Sequence, residues 1–343
     1  PLPHGVARRR QMNAPASGVS FTAGQDDDGK RIDRILRTLF PDVPLSAIYR
    51  ALRRGAVRVN GRPVTQRTRV RAGSTLTVGE RAGFGSEARH GENRPAPENK
   101  ASTYLSRLII YQSPSLLAVN KPYGMLVHGP GSLTDVLRAS SFAPAGRSLS
   151  FSPGPVHRLD RNTTGVQLFS LSLAGARTLT RFFREHRLRK VYCGLVEGRI
   201  ERPAVWEDDL FRDGQTRTTR AGIAGHAHYA RTRIIPFAST RTHSLLLMLP
   251  ETGRTHQLRF QAGRRGHPLI GDTKYGSASG SRYLLHNVGL AVLSGADATE
   301  DTLFPALVAP FDPYQEKLLS SLFGGGSPAR VQSHARDLLS GKE

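Results

Sequence analysis

The sequence predicts an α+β chain of two folded units, a small α+β unit near the N-terminus and a larger strand-rich unit after it. Three observations predict it. Residues 28–79 read as helix, helix, hairpin, strand. Residues 80–103 lose every hydrophobic period and are rich in Gly, Pro and polar residues. From residue 104 onward, apolar segments of strand length follow one another with few helical stretches between them. A length of 343 residues accommodates two domains, or three.

Residues 1–24 are Gly-, Ala-, Ser- and Arg-rich with no period, and are expected to form a basic, disordered leader. In RIDRILRTLF, Ile32, Ile35, Leu36, Leu39 and Phe40 recur at the spacing of one helical face. Pro41 and Pro44 end that helix. Ser46 is the expected N-cap of a second helix through Arg54, with Gly55 just past its end. AVRVNGRPVT then reads as two short strands around Asn60-Gly61, the type I′ hairpin signal, and STLTV as a last strand. The 24 residues after it read as a flexible linker with an r.m.s. span of about 27 Å. In the larger unit YLSRLIIY, SLLAVNKP, GVQLFSLS, KVYCGLVEG, HYARTRIIPF and HSLLLMLP read as strands. One helix is expected over residues 173–187. The segment from Gly324, rich in Gly, Ser and charge, is expected to be flexible.

Charge narrows the partner. The 49 Lys and Arg residues, seven Lys and 42 Arg, face 27 Asp and Glu, a net charge of +22. Such a field favours a polyanion, nucleic acid first and an anionic membrane second. Residues 1–80 alone carry 15 basic and six acidic residues. Arg50, Arg53 and Arg54 lie on the second predicted helix, and Arg58 and Arg62 on the hairpin. No apolar run is long enough for a transmembrane helix, and the N-terminus lacks the apolar core of a secretory signal. The single cysteine, Cys193, excludes an intrachain disulfide framework. A cytoplasmic protein with no membrane partner is the expectation. His226 and His228 find no carboxylate or cysteine cluster to complete a metal site. No Gly-rich nucleotide motif is present.

The strongest local signal is GPVHRLDRNTTGV, residues 154–166. It places Asp160 between the basic His157, Arg158 and Arg161 and a polar turn. A carboxylate among arginines stays ionised at neutral pH. The residues alone leave two readings open, a nucleophile or general base and a structural ion pair at a loop.

Five segments carry a family resemblance, in order, over residues 104–320. VNKPYGMLVHGPG, HRLDRNTTG, RKVYCGLVEG, ETGRTHQLRFQAGRRGHPLIGDTKYG and YLLHNVGL are similar to the motifs of the RluA-type pseudouridine synthases. RIDRIL and GAVRVNGRPV resemble the S4 RNA-binding domain over about 50 residues. The resemblance implies a mixed, mainly antiparallel catalytic sheet over residues 104–323, with a basic cleft across it. An S4-like domain would occupy 25–80, the linker 81–103 and a flexible tail 324–343.

It also implies roles. Asp160 would be the catalytic carboxylate, Tyr192 the tyrosine against the base, and Arg259 the partner that orients Asp160. Arg158 would enter the RNA stack in place of the flipped base, with His157 beside it. Leu285 would wall the uracil pocket. His256 and Gln257 are read as holding a loop, and Asp272 and Tyr275 as closing a turn. The implied reaction is isomerisation of uridine to pseudouridine in structured RNA by a monomer that needs no cofactor. The S4-like domain points to large-subunit ribosomal RNA, with transfer RNA as the alternative substrate. A catalytically inactive RNA-binding or assembly protein is the rival from another class. A hydrolase releasing uracil is disfavoured by the single carboxylate. Thr164, Gln261-Ala262-Gly263 and Asn287 depart from the family pattern and put the pocket's far wall in question.

Overall fold

The computed structural model describes residues 18–84, 100–142, 148–214, 216, 218–222, 227–278, 280, 282–293 and 303–342. They form two compact units, and the chain enters the first one twice: residues 148–152 belong to it together with 18–84.

The first unit is a four-stranded antiparallel sheet with two helices. The strands are β1 (Gly18–Thr22), β2 (Val57–Val59), β3 (Arg62–Pro63) and β4 (Thr75–Gly79), in the order β1-β4-β2-β3. Helix α1 (Ile32–Leu39) buries Ile32, Ile35, Leu36 and Leu39, the face its spacing predicts, against Ile48 and Leu52 of α2 (Leu45–Arg53) and Val57 and Leu76 of the sheet. Asn60 and Gly61 both have positive φ, 49° and 75°, as the type I′ turn requires. The expected leader is shorter than predicted. Its residues 18–22 pair with β4 and Phe21 is buried, whereas 1–17 lie outside the described residues. Ser46 is not the N-cap of α2. Pro44 takes that place, its fixed φ of −57° setting the entry and its carbonyl accepting from the Ala47 and Ile48 N–H groups.

The returning segment is held by Asp27. Its buried carboxylate accepts from the backbone N–H groups of Leu149 at 2.6 Å and Ser150 at 3.0 Å, and from Ser148 Oγ at 2.9 Å. Leu149 enters the first unit's core at 5% exposure, so this segment closes a core that the contiguous sequence leaves open.

The second unit is built on one 11-stranded sheet. Its main path runs β11 (Thr219–Ala221), β10 (Ala204–Arg212), β12 (His228–Ser239), β13 (His243–Pro250), β9 (Leu188–Glu197), β14 (Leu285–Val292), β8 (Thr164–Ser170), β6 (Leu116–Lys121) and β5 (Ile109–Gln112). Two-residue strands β7 (Gly154–Pro155) and β15 (Leu307–Val308) pair with β8 and β14. Every pairing is antiparallel except β14 with β8. That parallel seam is tight: a Cβ on Gly165, whose φ is 101°, would lie 2.1 Å from the Asn287 carbonyl oxygen. Only glycine fits there.

Helices α3 (Lys100–Ser106), α4 (Leu133–Ala139), α5 (Leu173–Arg184), α6 (Gln257–Arg264), α7 (Pro313–Phe323) and α8 (Ser327–Leu339) flank the sheet's strands in sequence. Helices α3, α6 and α8 differ from expectation. YLSRLIIY is a helix end followed by a short strand, not one strand, and the predicted linker loses 100–103 to α3; its residues 85–99 lie outside the described ones. Helix α6 forms where a loop was read. The expected flexible tail is α8, which buries Val331, Ala335, Leu338 and Leu339 against the sheet cluster of Val191, Cys193 and Leu245. Those four residues sit at helical spacing, masked by the glycines before them.

Candidate active site

Asp160 lies in the loop between β7 and β8, its side chain 21% exposed. Two buried residues fix that loop. Gln167 accepts from the Leu159 N–H at 3.1 Å and donates to the His157 carbonyl at 2.7 Å. The fully buried Lys121 donates to the carbonyls of Arg161 at 2.8 Å and Pro122 at 3.0 Å. Burial pulls the Lys121 pKa down to about 7, against the opposing pull of the Asp160 charge. The loop carries Asp160 into a cleft of about 310 Å³, within the size range of small-ligand sites.

Arg259, on the first turn of α6, is buried and faces two carboxylates. Its Nε and Nη2 donate to Asp272 at 2.7 and 2.8 Å, and its Nη1 donates to Asp160 at 3.3 Å. Its guanidinium also lies over the rings of Tyr275 and Tyr283. Burial works against its charge, but the Asp272 hydrogen bonds and the carboxylate charges outweigh burial and raise its pKa. Asp272 thus does more than close a turn: it holds the guanidinium that Asp160 uses.

His256 was read as a loop residue and is a neighbour of Asp160. Its Nε2 lies 3.7 Å from Asp160 Oδ2, and its Nδ1 2.7 Å from the Tyr275 hydroxyl. That hydroxyl accepts the Thr219 N–H at 3.0 Å, and burial raises its pKa, so it keeps its proton and donates it to Nδ1. Burial lowers the His256 pKa to about 4 despite Asp160. The ring is therefore neutral at pH 7, and with Nδ1 accepting from Tyr275 its proton would sit on Nε2, facing Asp160.

Tyr192, on β9, lines the same cleft, as does Leu285 at the start of β14. Burial first, and the Asp160 charge second, push the Tyr192 pKa up, so its phenol stays protonated at neutral pH. Arg158 is exposed at the rim. His157 also lines the cleft, with its Nε2 accepting the Leu168 N–H at 2.9 Å and its ring stacked on Phe183. Its neutral state follows from burial and the Lys190 charge, which lower its pKa to about 3.

The departures from the family pattern are absorbed into packing. Thr164 Oγ1 lies 2.7 Å from His286 Nδ1 and accepts from Gln315 at 2.9 Å. Asn287 donates to the Val166 carbonyl at 2.8 Å. Gln261 is buried between Thr232 and the Trp206 carbonyl.

Sequence comparison decides the family. The chain is 32% identical over 310 residues to the ribosomal large subunit pseudouridine synthase C of Vibrio vulnificus (strain CMCP6), covering 87% of this chain and 94% of that one. The chain belongs to the RNA pseudouridine synthase family. The synthase is also 34% identical over 274 residues to the Vibrio cholerae protein of the same name, covering 77% and 83%. With the Escherichia coli K12 protein of that name it shares 32% over 277 residues, covering 78% and 82%. The family profile for RNA pseudouridylate synthase matches residues 115–263, and that for the S4 domain residues 30–76. Human RNA pseudouridylate synthase domain containing 4 shares the fold, with a TM-score of 0.52 at 23% identity over 62% of this chain and 92% of that one.

The S4 domain of the synthase presents the expected basic surface. Arg50, Arg53, Arg54 and Arg62 are exposed and Arg58 is half-buried. None of the five forms an ion pair among the described residues.

Proposed function

We propose that the cleft isomerises uridine to pseudouridine in large-subunit ribosomal RNA, with Asp160 as the reacting carboxylate. The observation that carries this is the setting of Asp160: inside the cleft, within 3.3 Å of a guanidinium that Asp272 holds in place. A carboxylate so held can serve as a nucleophile or general base.

The target uridine leaves the stack to enter the cleft. Its C1′–N1 bond breaks, the uracil turns, C5 joins C1′, the C5 proton leaves and the freed N1 takes up a proton. Nothing is gained or lost overall. A covalent bond from Asp160 to C1′ and removal of the C2′ proton both need the carboxylate. Tyr192 lies under the base and, being protonated, passes the C5 proton on only by giving up its own. Leu285 forms the apolar wall, and Arg158 at the rim fills the gap in the RNA. The free arginines of the S4 domain hold flanking RNA through phosphates. The curated relatives named as large-subunit synthases support the substrate.

The test is tritium release from transcripts labelled at uracil C5, with large-subunit ribosomal RNA and transfer RNA assayed side by side. Release from ribosomal RNA alone is the expected result. Release from transfer RNA alone would overturn the substrate. Tight binding without release from either would favour the inactive RNA-binding reading.

A further inference from the structure

Lys190 is a cation without an anion. It sits on β9 two residues before Tyr192, so both side chains leave the same face of the sheet, about 6.7 Å apart along the strand. Both line the cleft. The hydrogen bond of the Lys190 ammonium is to the Thr252 carbonyl at a long 3.4 Å. No carboxylate among the described residues pairs with it, and the neighbouring ring of His157 is neutral. The other basic groups of the cleft differ. Arg259 has Asp272 and Asp160, Arg254 is exposed and donates to the Tyr229 carbonyl at 3.1 Å, and Arg158 is in solvent. Burial lowers the Lys190 pKa to about 8, which leaves it charged at pH 7.

Lys190 is half-buried, and a charge partly withdrawn from water is normally paired. Here no carboxylate among the described residues supplies the pair, in a cleft whose proposed ligand is a polyanion. We propose that Lys190 binds a backbone phosphate of the target nucleotide, one step along the strand from the tyrosine beneath its base. This rests on the cleft being the uridine site. The phosphate would neutralise Lys190 and anchor the flipped nucleotide by its backbone, without reading sequence.

The experiment measures affinity for a labelled large-subunit ribosomal RNA transcript across a potassium chloride titration. All proteins carry Asp160→Asn, so binding is read without turnover. Lys190→Met is expected to weaken binding roughly tenfold and to reduce the slope of log affinity against log salt by about 0.7, one phosphate on single-stranded RNA. Lys190→Arg should retain both. Lys190→Gln, which still donates to Thr252, should behave as Met does, and serves if the Met variant fails to fold. A Met or Gln variant with the parent slope would overturn the proposal and leave Lys190 as a prop for the Thr252 carbonyl. Tritium release that survives Asp160→Asn would instead overturn the role of Asp160, and the salt slope would be read unchanged.

Discussion

Arg259 gives Asp272 two parallel hydrogen bonds, at 2.7 and 2.8 Å, and turns a further N–H toward Asp160 at 3.3 Å. The tighter pair sets the guanidinium plane, and the longer contact is what that plane offers Asp160. Bidentate geometry of this kind belongs to arginine and not to lysine.

Asp272→Asn therefore should lower turnover by about 10- to 100-fold, the loss of a charge-assisted hydrogen bond. Asp272→Ala leaves a buried guanidinium half-paired and should also cost about 3–5 kcal/mol of stability. Single-turnover kinetics and urea denaturation separate the two effects. Wild-type turnover in the Asn variant would show that Arg259 needs no second carboxylate.

Tyr275 decides which nitrogen of His256 carries the proton. In Tyr275→Phe the donor to Nδ1 is gone, so the Nε2–H form loses its advantage. Nitrogen-15 NMR of the imidazole should show a shift toward the Nδ1–H tautomer, with a several-fold loss of turnover. An unchanged tautomer would remove His256 from the positioning of Asp160.

Lys121 makes stability depend on pH. Its folded pKa of about 7 lies below the ordinary 10.5, so between those values the unfolded chain holds a proton that the folded chain lacks. Stability from this group should rise with pH from about 7 to 10.5, by up to about 1.4 kcal/mol per unit. Lys121→Met should lack that rise while destabilising the Asp160 loop. Asp160→Asn removes the charge that holds the Lys121 pKa up, so the rise should begin at lower pH. Identical stability profiles for wild type and the Met variant would contradict the assignment.

Asp27 joins residues 148–150 to the S4 domain. Asp27→Ala strips the acceptor from three backbone N–H groups, those of Gly24, Leu149 and Ser150, and should destabilise that unit by on the order of 3 kcal/mol. Limited proteolysis should then cut near Leu149 faster than in wild type. Equal cutting rates would mean the clasp contributes nothing.

Local signals were the legible part. The α1 face, the Asn60-Gly61 turn and the strands with continuous apolar runs could be read because their causes lie within a few residues. The Asp160 loop was visible as a charged string, and the family resemblance supplied its role. Contacts across the chain were not legible. Leu149 completes a core more than 100 positions away from α1, and no local pattern announces it. Asp272 and His256 reach Asp160 only once α6 forms, and α6 was hidden by its polar Gln257, Gln261 and Arg264. Helix α8 carried a readable period that composition obscured. Lys190 showed in sequence as a motif residue, but its missing partner is visible only in three dimensions.

The proposed reaction depends on the Asp160 carboxylate doing the chemistry. The most direct measurement is single-turnover tritium release from C5-labelled large-subunit ribosomal RNA by wild type and Asp160→Asn, with RNA binding measured in parallel. Release by wild type, none by the variant, and binding by both are expected. Release by Asp160→Asn at a rate near that of wild type would contradict it.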